Sequence, residues 1–272
     1  MMKDKILYYE KMSKKIRKHI IYMHAKSNSS HVGSALSCVE ILVSLYFDIL
    51  KINPKNPNAK NRDRFILSKG HAASALYATL AKRKFFPQNI LTQYCCNGGK
   101  LPGHSTIHCV PGVEVSTGSL GHGLSIGTGI ALAAKYDKLN YRVFVLLSDG
   151  ECDEGSVWES ALFASHHHLD NLTVIIDYNK MQAMGWTEQI LQLEPLTDKW
   201  TSFGWVVKEI NGHNFKQIIN ALRKIPYVHH KPSLVIAHTI KGKGVSFMEN
   251  QLPWHYKAPS EEEFKQALKE LK

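Results

Sequence analysis

RVFVLLSDGECDEGSVWESALFASHHHLDNLTVIIDYNKM occupies residues 142–181 and contains two apolar runs separated by a helical pattern. The first run, VFVLL at residues 143–147, and the second, LTVII at residues 172–176, are rich in branched apolar residues. Such runs are typical of strands that are buried on both faces of a parallel sheet. With a helix predicted at residues 156–168, the segment predicts a βαβ unit. Its right-handed crossover should place the ends of both strands at the same edge of the sheet.

Helical and strand-like patterns also alternate along the rest of the chain, which is typical of an α/β fold. The other elements that we predict are helices at residues 5–24, 37–50, 72–83 and 124–135 and a strand at residues 64–67. The second of these helices carries an apolar stripe formed by Val39, Leu42, Val43, Tyr46 and Phe47. In the helix at residues 156–168, the residues predicted to face inward are Val157, Ala161, Leu162 and Ser165. Because no repeat or long linker interrupts these elements, we expect a single domain over residues 1–272, built on a mostly parallel sheet with helices on both faces.

Composition limits the classes to which the protein can belong. The 272 residues are 44% hydrophobic, which excludes global disorder. Every apolar run is far shorter than the roughly 20 residues of a membrane-spanning helix, and residues 1–18 lack the pattern of a secretory signal. We therefore expect a cytoplasmic protein without a membrane partner. Five cysteines without a CxxC pair indicate ordinary thiols.

The net charge of +11 fits either phosphorylated substrates or a lysine-rich solvated surface. The basic residues are scattered along the whole chain, and no helix-turn-helix or aromatic stacking pattern accompanies them. We therefore expect no nucleic-acid partner.

Two oxygen-bearing side chains follow the two strands of the βαβ unit. Asp149 comes just after the first strand and Asn179 just after the second, so folding should bring them together. A carboxylate, an amide oxygen and a nearby backbone carbonyl form an oxygen-only set, which suits a hard cation that completes its shell with water and phosphate oxygens. On these residues alone, Asp-Gly after a strand is more often a simple turn, and both interpretations stay open.

The same segment resembles the thiamin diphosphate motif, which begins with Gly-Asp-Gly and ends in Asn. In proteins with this motif, the Asp, the Asn and the carbonyl two residues after the Asn bind the metal that holds the cofactor's diphosphate. The resemblance implies thiamin diphosphate and Mg²⁺, with Ca²⁺ or Mn²⁺ as alternatives, and assigns the metal to Asp149, Asn179 and Met181. Ser148 departs from the pattern, because the family usually has Gly at this position.

Further segments are similar to those of transketolases. They are SHVG at residues 30–33, DRFILSKGH at residues 63–71, LPGH at residues 101–104 and TGSLGHG at residues 117–123. The resemblance implies that His71 contacts the cofactor diphosphate, that His31 lies where diphosphate and substrate meet, and that His104 contacts hydroxyls of the sugar donor. Any one of the 15 histidines taken alone is more often a surface or structural residue, and only the motif contexts favour these three.

The resemblance also assigns a glycine-containing loop to the cofactor, although such a loop is by itself an ordinary start of a helix. The cofactor-binding residues that it adds are Gly118, Ser119, Leu120 and Gly150. Glu154 and Glu159 match acidic positions near the subunit interface of the family. They could instead be plain solvated carboxylates.

Two segments near the carboxyl end, KGKG and WHYKAP, resemble the stretch in which the family has a further active-site histidine, here His255. Tyr256 departs from the pattern, because the family usually has Gly, a residue with more backbone freedom, at this position. Lys241 and Lys243 could attract phosphate, although a basic loop with glycines is solvated at least as often.

Transketolases continue with a second domain that binds the aminopyrimidine of the cofactor and supplies the glutamate that activates it. This sequence does not contain that domain, so the resemblance implies a two-chain enzyme. We expect a partner subunit with the pyrimidine-binding domain, assembled as a heterotetramer. The expected reaction is transfer of a two-carbon ketol unit from a ketose, free or phosphorylated, to an aldose, with His31, His104 and His255 as the catalytic residues. The alternatives are an enzyme like 1-deoxyxylulose-5-phosphate synthase, a 2-oxoacid-decarboxylating subunit, or a noncatalytic interaction module.

Overall fold

The computed structural model describes residues 2–272, and a five-stranded parallel sheet with the order β1-β2-β3-β5-β4 forms its centre. The strands are β1 (Arg64–Leu67), β2 (Val143–Ser148), β3 (Leu172–Tyr178), β4 (Val206–Asn211) and β5 (Ser233–His238). Every neighbouring pair is parallel, so each connection crosses a face of the sheet. The predicted βαβ unit is present, because β2 pairs with β3 from Val143↔Leu172 to Ser148↔Asp177.

Helices cover both faces of the sheet. They are α1 (Met2–Ser27), α2 (Val32–Ser37), α3 (Val39–Ser44), α4 (Ala73–Lys82), α5 (His122–Tyr136), α6 (Gly155–His166), α7 (Thr187–Ile190), α8 (Leu196–Ser202), α9 (Phe215–Leu222) and α10 (Glu261–Glu270). A π-helical turn, Leu45–Ile49, continues α3. The predicted α/β fold class is confirmed. None of the helices in residues 2–272 has both the length and the apolarity needed to cross a bilayer.

Two hydrophobic cores lie on opposite faces of the sheet, and β2 contributes to both. Phe144 and Leu146 belong to the core that includes residues of α1, α3 and α4. Val145 and Leu147 belong to the core that includes residues of α5 and α6. All four side chains are fully buried, as the alternation of side chains along a central strand requires. This double burial explains why the sequence of the strand is a continuous apolar run.

The prediction of one helix at residues 37–50 was wrong about where the helical structure begins and about its continuity. Helical structure begins at Val32 and is interrupted at Cys38, whose φ and ψ of −95° and 8° separate α2 from α3. The polar residues and glycine before residue 37 indicate a loop when read locally. Gly33 serves close packing and not a loop here, because a Cβ at this position would lie 3.3 Å from the carbonyl oxygen of Trp254. The apolar stripe holds for Val39, Leu42, Val43 and Tyr46, which are buried, whereas Phe47 is half-buried.

The inward face predicted for α6 was partly wrong. Val157 and Ala161 are buried, but Leu162 is 60% exposed and Ser165 is half-buried. The buried positions are completed instead by small residues, Ser160 and Ala164. A small side chain lets a helix lie close to its neighbours, so apolarity alone does not identify the packed face. The helix also ends at His166, two residues before the predicted end.

Candidate active site

The carboxyl ends of four strands and the loops that follow them surround a cavity of about 250 Å³. Ten of the eleven predicted site residues line it, namely His31, His71, His104, Gly118, Leu120, Asp149, Gly150, Asn179, Met181 and His255. Ser119, the remaining one, is exposed and is not part of the lining. This location agrees with the rule that open parallel sheets bind ligands at the carboxyl ends of their strands.

Asp149 follows β2 and is almost fully buried. Its Oδ1 accepts a hydrogen bond from the backbone N–H of Gly150 at 2.8 Å, and its Oδ2 accepts one from the N–H of Lys180 at 2.6 Å. Burial, followed by the negative charge of Asp177, raises the pKa of Asp149 to about 7. A divalent cation beside this carboxylate would favour its ionised form.

Asn179 follows β3, and its side chain is turned toward the same cavity. Its Oδ1 accepts a hydrogen bond from the N–H of Met181 at 3.1 Å, while its Nδ2 donates to the carbonyl oxygen of Asp177 at 3.5 Å. These bonds fix the orientation of the amide. The predicted convergence of Asp149 and Asn179 at one edge of the sheet is therefore present in the structure.

The carbonyl of Met181, the third predicted metal ligand, accepts a hydrogen bond from a positively charged side chain. The ammonium of Lys241 donates to the carbonyl oxygens of Met181 and Gln182 at 3.1 and 3.0 Å. This contact shows that the Met181 carbonyl is accessible to positive charge. A carboxylate, an amide oxygen and this carbonyl together form a donor set of the kind that Mg²⁺ or Ca²⁺ prefers. Among residues 2–272, no group of three or more His, Cys, Asp or Glu side chains could hold a metal ion, so a site here depends on amide and carbonyl oxygens.

Four histidines surround the opposite part of the cavity, with His31 in the middle. The ring centroid of His31 lies 5.4 Å from that of His71, 5.7 Å from His104 and 4.9 Å from His255. The backbone N–H of His31 donates to the carbonyl oxygen of His255 at 2.8 Å, and its φ of 77° is in the left-handed region. A non-glycine residue with such a φ is often found at a functional site.

Three of these imidazoles are neutral near pH 7. Burial, followed by the charges of His104 and Lys241, lowers the pKa of His31 to about 4. Burial and the neighbouring Lys241 lower the pKa of His255 to about 3, and burial with Lys69 holds the pKa of His71 well below its usual range. A neutral imidazole has one donor and one acceptor nitrogen. The cluster can therefore both donate hydrogen bonds to phosphate or hydroxyl oxygens and accept hydrogen bonds from hydroxyl groups.

Comparison with known proteins agrees with this geometry. Residues 9–271 match the family model described as "Transketolase, thiamine diphosphate binding domain". The chain belongs to this family. Thus the predicted resemblance is confirmed, and so is the prediction of a thiamin diphosphate-dependent transferase of the transketolase family.

Two relatives match the chain over nearly their whole length. One of them, a subunit of the "Apulose-4-phosphate transketolase" of Phocaeicola vulgatus, is 46% identical over 96% of this chain and 93% of its own. The "6-deoxy-6-sulfo-D-fructose transketolase subunit SqwG" of a Clostridium species is 44% identical over 94% of this chain and 93% of its own.

Solved transketolases are similar but longer. The enzyme from Campylobacter jejuni superposes with a TM-score of 0.91 at 32% identity, and that from Leishmania mexicana with a TM-score of 0.89 at 26% identity. These matches cover 97% and 95% of this chain but only 42% and 40% of the solved chains. The chain thus spans about two fifths of the length of these transketolases.

The two departures from the transketolase pattern are accommodated without strain. Ser148 ends β2 in an extended conformation, and its N–H donates to Oε2 of Glu151 at 2.9 Å. Tyr256 has φ and ψ of −113° and −29°, which any residue can adopt, and its side chain is 62% exposed. His255 still lines the cavity beside it. Neither position requires the conformational freedom of glycine.

Two lysines of the cavity received no firm role from the sequence. The solvated position that the sequence allows for Lys241 is wrong, because Lys241 is 1% exposed, and Lys69 is fully buried. Burial, followed by the charge of Lys69, lowers the pKa of Lys241 to about 8. Lys69 forms an ion pair with Asp177, which also accepts a hydrogen bond from Ser37 Oγ at 2.5 Å. The only local signal was the position of each lysine within three residues of the end of a strand, where open parallel sheets bind ligands.

Glu151 was also missed. It is fully buried and joins three segments at the edge of the site: its Oε1 accepts hydrogen bonds from Ser68 Oγ at 2.5 Å and from the N–H of Gly121 at 3.0 Å, and its Oε2 accepts from the N–H of Ser148. These contacts hold the ends of β1 and β2 against the loop before α5. Glu154 and Glu159 are both exposed, which leaves their predicted place at a subunit interface untested.

Proposed function

We propose that this chain is the diphosphate- and metal-binding subunit of a two-chain transketolase. Such an enzyme transfers a two-carbon ketol unit from a ketose or ketose phosphate to an aldose. The observation that carries the proposal is the convergence of Asp149, Asn179 and the Met181 carbonyl with four histidines around one cavity. Relatives named for apulose-4-phosphate and for 6-deoxy-6-sulfo-D-fructose support a sugar donor.

In this proposal, Asp149, Asn179 and the carbonyl of Met181 bind Mg²⁺, and Ca²⁺ or Mn²⁺ can replace it because both also accept oxygen ligands. His71 donates to the diphosphate, and the positive charge of Lys241 attracts it. The backbone at Gly118, Ser119, Leu120 and Gly150 contacts the rest of the cofactor. Thiamin diphosphate, when bound, supplies the electron sink for cleavage of the donor's carbon–carbon bond.

The histidines bind the sugar and move protons. With pKa values of about 4 for His31 and about 3 for His255, both imidazoles are neutral but weak bases at pH 7. The negative charge of a bound diphosphate would raise these pKa values, and each imidazole could then accept a proton from a donor hydroxyl and return it later. The side chain of His104 is exposed. Its backbone is fixed by a hydrogen bond, in which the hydroxyl of Tyr77 donates to the carbonyl oxygen of His104 at 3.1 Å. We infer that His104 binds sugar hydroxyls at the entrance of the cavity.

A second polypeptide completes the site in this proposal. The apulose-4-phosphate and 6-deoxy-6-sulfo-D-fructose relatives are each named as one subunit of a transketolase, and this chain matches only about two fifths of the solved transketolases. We infer that a partner subunit carries the pyrimidine-binding domain and the activating glutamate, that two chains of each kind form a heterotetramer, and that the assembly is cytoplasmic. Exposed Glu154 and Glu159 at the start of α6 are the acidic residues that we expect near the interface.

The test is a transfer assay on the chain purified together with its partner subunit. We expect a two-carbon transfer product that requires thiamin diphosphate and Mg²⁺ and that disappears in the Asp149→Asn variant. Asp198→Asn, which changes an exposed carboxylate on α8, is the matched control and should keep full activity. Activity with pyruvate but with no ketose would favour the synthase or decarboxylase alternative. Absence of both cofactor binding and product would favour the noncatalytic module.

A further inference from the structure

The loop after β5 brings Lys241 to the cavity, and residues outside this loop hold its backbone on both sides of the lysine. Before it, the N–H of Ile240 donates to Nε2 of His213 at 2.8 Å. After it, the carbonyl of Lys243 accepts a hydrogen bond from Nε of Arg17 at 2.8 Å. The N–H of Gly242 also donates to the carbonyl of Gly33 at 2.9 Å.

The carboxylate of Glu40 connects the side chains of Arg17 and His213, the two residues that hold the loop. Arg17 donates to both oxygens of Glu40, from Nη1 at 2.6 Å and from Nη2 at 2.7 Å. Nδ1 of His213 lies 2.9 Å from Oε2 of the same residue. Because Nε2 of His213 accepts from Ile240, Nδ1 carries the proton and donates to Glu40. Glu40 therefore fixes the tautomer of His213 and the guanidinium plane of Arg17 at once.

The arginine and the carboxylate of this network are buried. Arg17 is 5% exposed and Glu40 is 7% exposed, and the two come from different helices, α1 and α3. Although burial alone would raise the pKa of Glu40, the charge of Arg17 and the hydrogen bonds from His213 and Arg17 outweigh it and lower the pKa to about 2. The carboxylate is thus ionised at every pH at which the enzyme would work. Bidentate pairing of a buried guanidinium gives a well-defined geometry.

None of the three residues lines the cavity, so any effect on the site must pass through the loop. We propose that Arg17, Glu40 and His213 are positioning residues, which fix the backbone on both sides of Lys241 and keep its ammonium in the cavity. The part of this inference that concerns ligand binding rests on the proposed function, in which Lys241 attracts a diphosphate. The part that concerns the loop is independent of it.

Amide hydrogen exchange on the full-length chain tests the loop. The Glu40→Gln variant leaves one acceptor oxygen for three donors, the two terminal nitrogens of Arg17 and Nδ1 of His213. In this variant we expect the backbone amides of Ile240 and Gly242 to exchange at least about tenfold faster than in the native protein. Asp63→Asn is the matched control, because Asp63 is also buried and paired with an arginine, Arg142, but lies before β1, at the opposite edge of the sheet. It should leave exchange in the loop unchanged. Unchanged exchange in Glu40→Gln, or an equal increase in both variants, would overturn the inference.

His213→Leu provides a second variant, which keeps the Arg17–Glu40 pair in case Glu40→Gln does not fold. It removes the acceptor for the N–H of Ile240, and we expect faster exchange at that amide. An unchanged exchange rate of Ile240 in this variant would contradict the inference as well.

A double-mutant cycle on thiamin diphosphate affinity, measured by calorimetry with Mg²⁺ and the partner chain present, tests whether the network acts through Lys241. We expect Glu40→Gln to lower the affinity by about tenfold in the native background, a loss typical of an outer-shell partner. In the Lys241→Met background the same change should cost less than about twofold. Equal losses in both backgrounds would show that Glu40 acts independently of Lys241. If the native pair binds no thiamin diphosphate, the proposed function fails, whereas hydrogen exchange still decides the positioning role.

Discussion

The carboxylate of Asp149 lies 2.6 Å from the backbone nitrogen of Lys180, although the two residues belong to different strand ends. Lys180 directly follows Asn179, so this hydrogen bond ties the end of β2 to the end of β3 where the proposed cation would bind. In the register of the two strands, Ser148 lies opposite Asp177, so Asp149 and Asn179 follow this pair by one and two residues and lie close together at the edge of the sheet. The site is therefore a consequence of the parallel pairing of two buried strands.

Replacement of Asp149 by asparagine should abolish cation-dependent cofactor binding. The variant keeps the size of the side chain but removes the only carboxylate among the three proposed ligands. We expect the affinity for thiamin diphosphate with Mg²⁺ to fall by at least about 100-fold, beyond the loss seen for outer-shell residues. Isothermal titration calorimetry measures this affinity, and near-native binding by the variant would contradict the assignment of Asp149.

Replacement of Gly70 by alanine should separate the turn of His71 from the loop that contains Gly118. A Cβ on Gly70 would lie 2.6 Å from the carbonyl carbon and oxygen of Thr117, which is backbone and cannot rotate away. We expect a loss of about 1–3 kcal/mol in the free energy of unfolding, measured by urea denaturation. Gly129→Ala is the control, because a Cβ there would have no atom within 4 Å apart from the backbone of its own helix and its chain neighbours, and it should be neutral or slightly stabilising. Equal stability of the two variants would contradict the close contact.

Glu40 should contribute to stability in a pH-dependent way. Its folded pKa of about 2 lies below the ordinary value of 4.5, so its contribution is complete above pH 4.5 and is lost as the pH falls toward 2. A shift of this size corresponds to about 3 kcal/mol. We therefore expect the stability difference between the native protein and Glu40→Gln to shrink between pH 5 and pH 3, as measured by urea unfolding. A difference that stays constant over this range would show that the ion pair does not have this pKa.

Replacement of His104 by alanine should affect the sugar more than the cofactor. His104 is exposed at the entrance, and we propose that its ring binds hydroxyls. Loss of a neutral hydrogen bond costs about 1 kcal/mol, so KM for the ketose donor should rise by roughly fivefold to tenfold while thiamin diphosphate affinity stays within about twofold. His108→Asn, in the same loop, keeps a residue that tolerates its φ of 67° and should change neither quantity. A parallel loss of cofactor affinity in His104→Ala would assign the residue to the diphosphate instead.

The parts of the structure that the sequence predicted are those with strong local patterns. Strands β2 and β3 are continuous apolar runs, and the rules for parallel connections then bring Asp149 and Asn179 together. Strands β4 (Val206–Asn211) and β5 (Ser233–His238) were not predicted. Strand β4 lies at the edge of the sheet, where its side chains are half-buried or exposed and no apolar run forms. Strand β5 is buried and contains the apolar run LVIA, but a run of four residues is too short to distinguish a strand from a buried helical segment. The interruption at Cys38 and the burial of Lys241 depend on contacts with residues far away in the chain, which local patterns do not contain.

Anomalous diffraction from crystals of the two-chain assembly grown with thiamin diphosphate and Mn²⁺ tests the central claim most directly. We expect one strong manganese peak at the carboxyl ends of β2 and β3, within coordination distance of a carboxylate oxygen of Asp149, the amide oxygen of Asn179 and the carbonyl oxygen of Met181, with the ammonium of Lys241 displaced from that carbonyl. A manganese peak elsewhere, or a bound diphosphate whose cation contacts neither Asp149 nor Asn179, would contradict the proposed site.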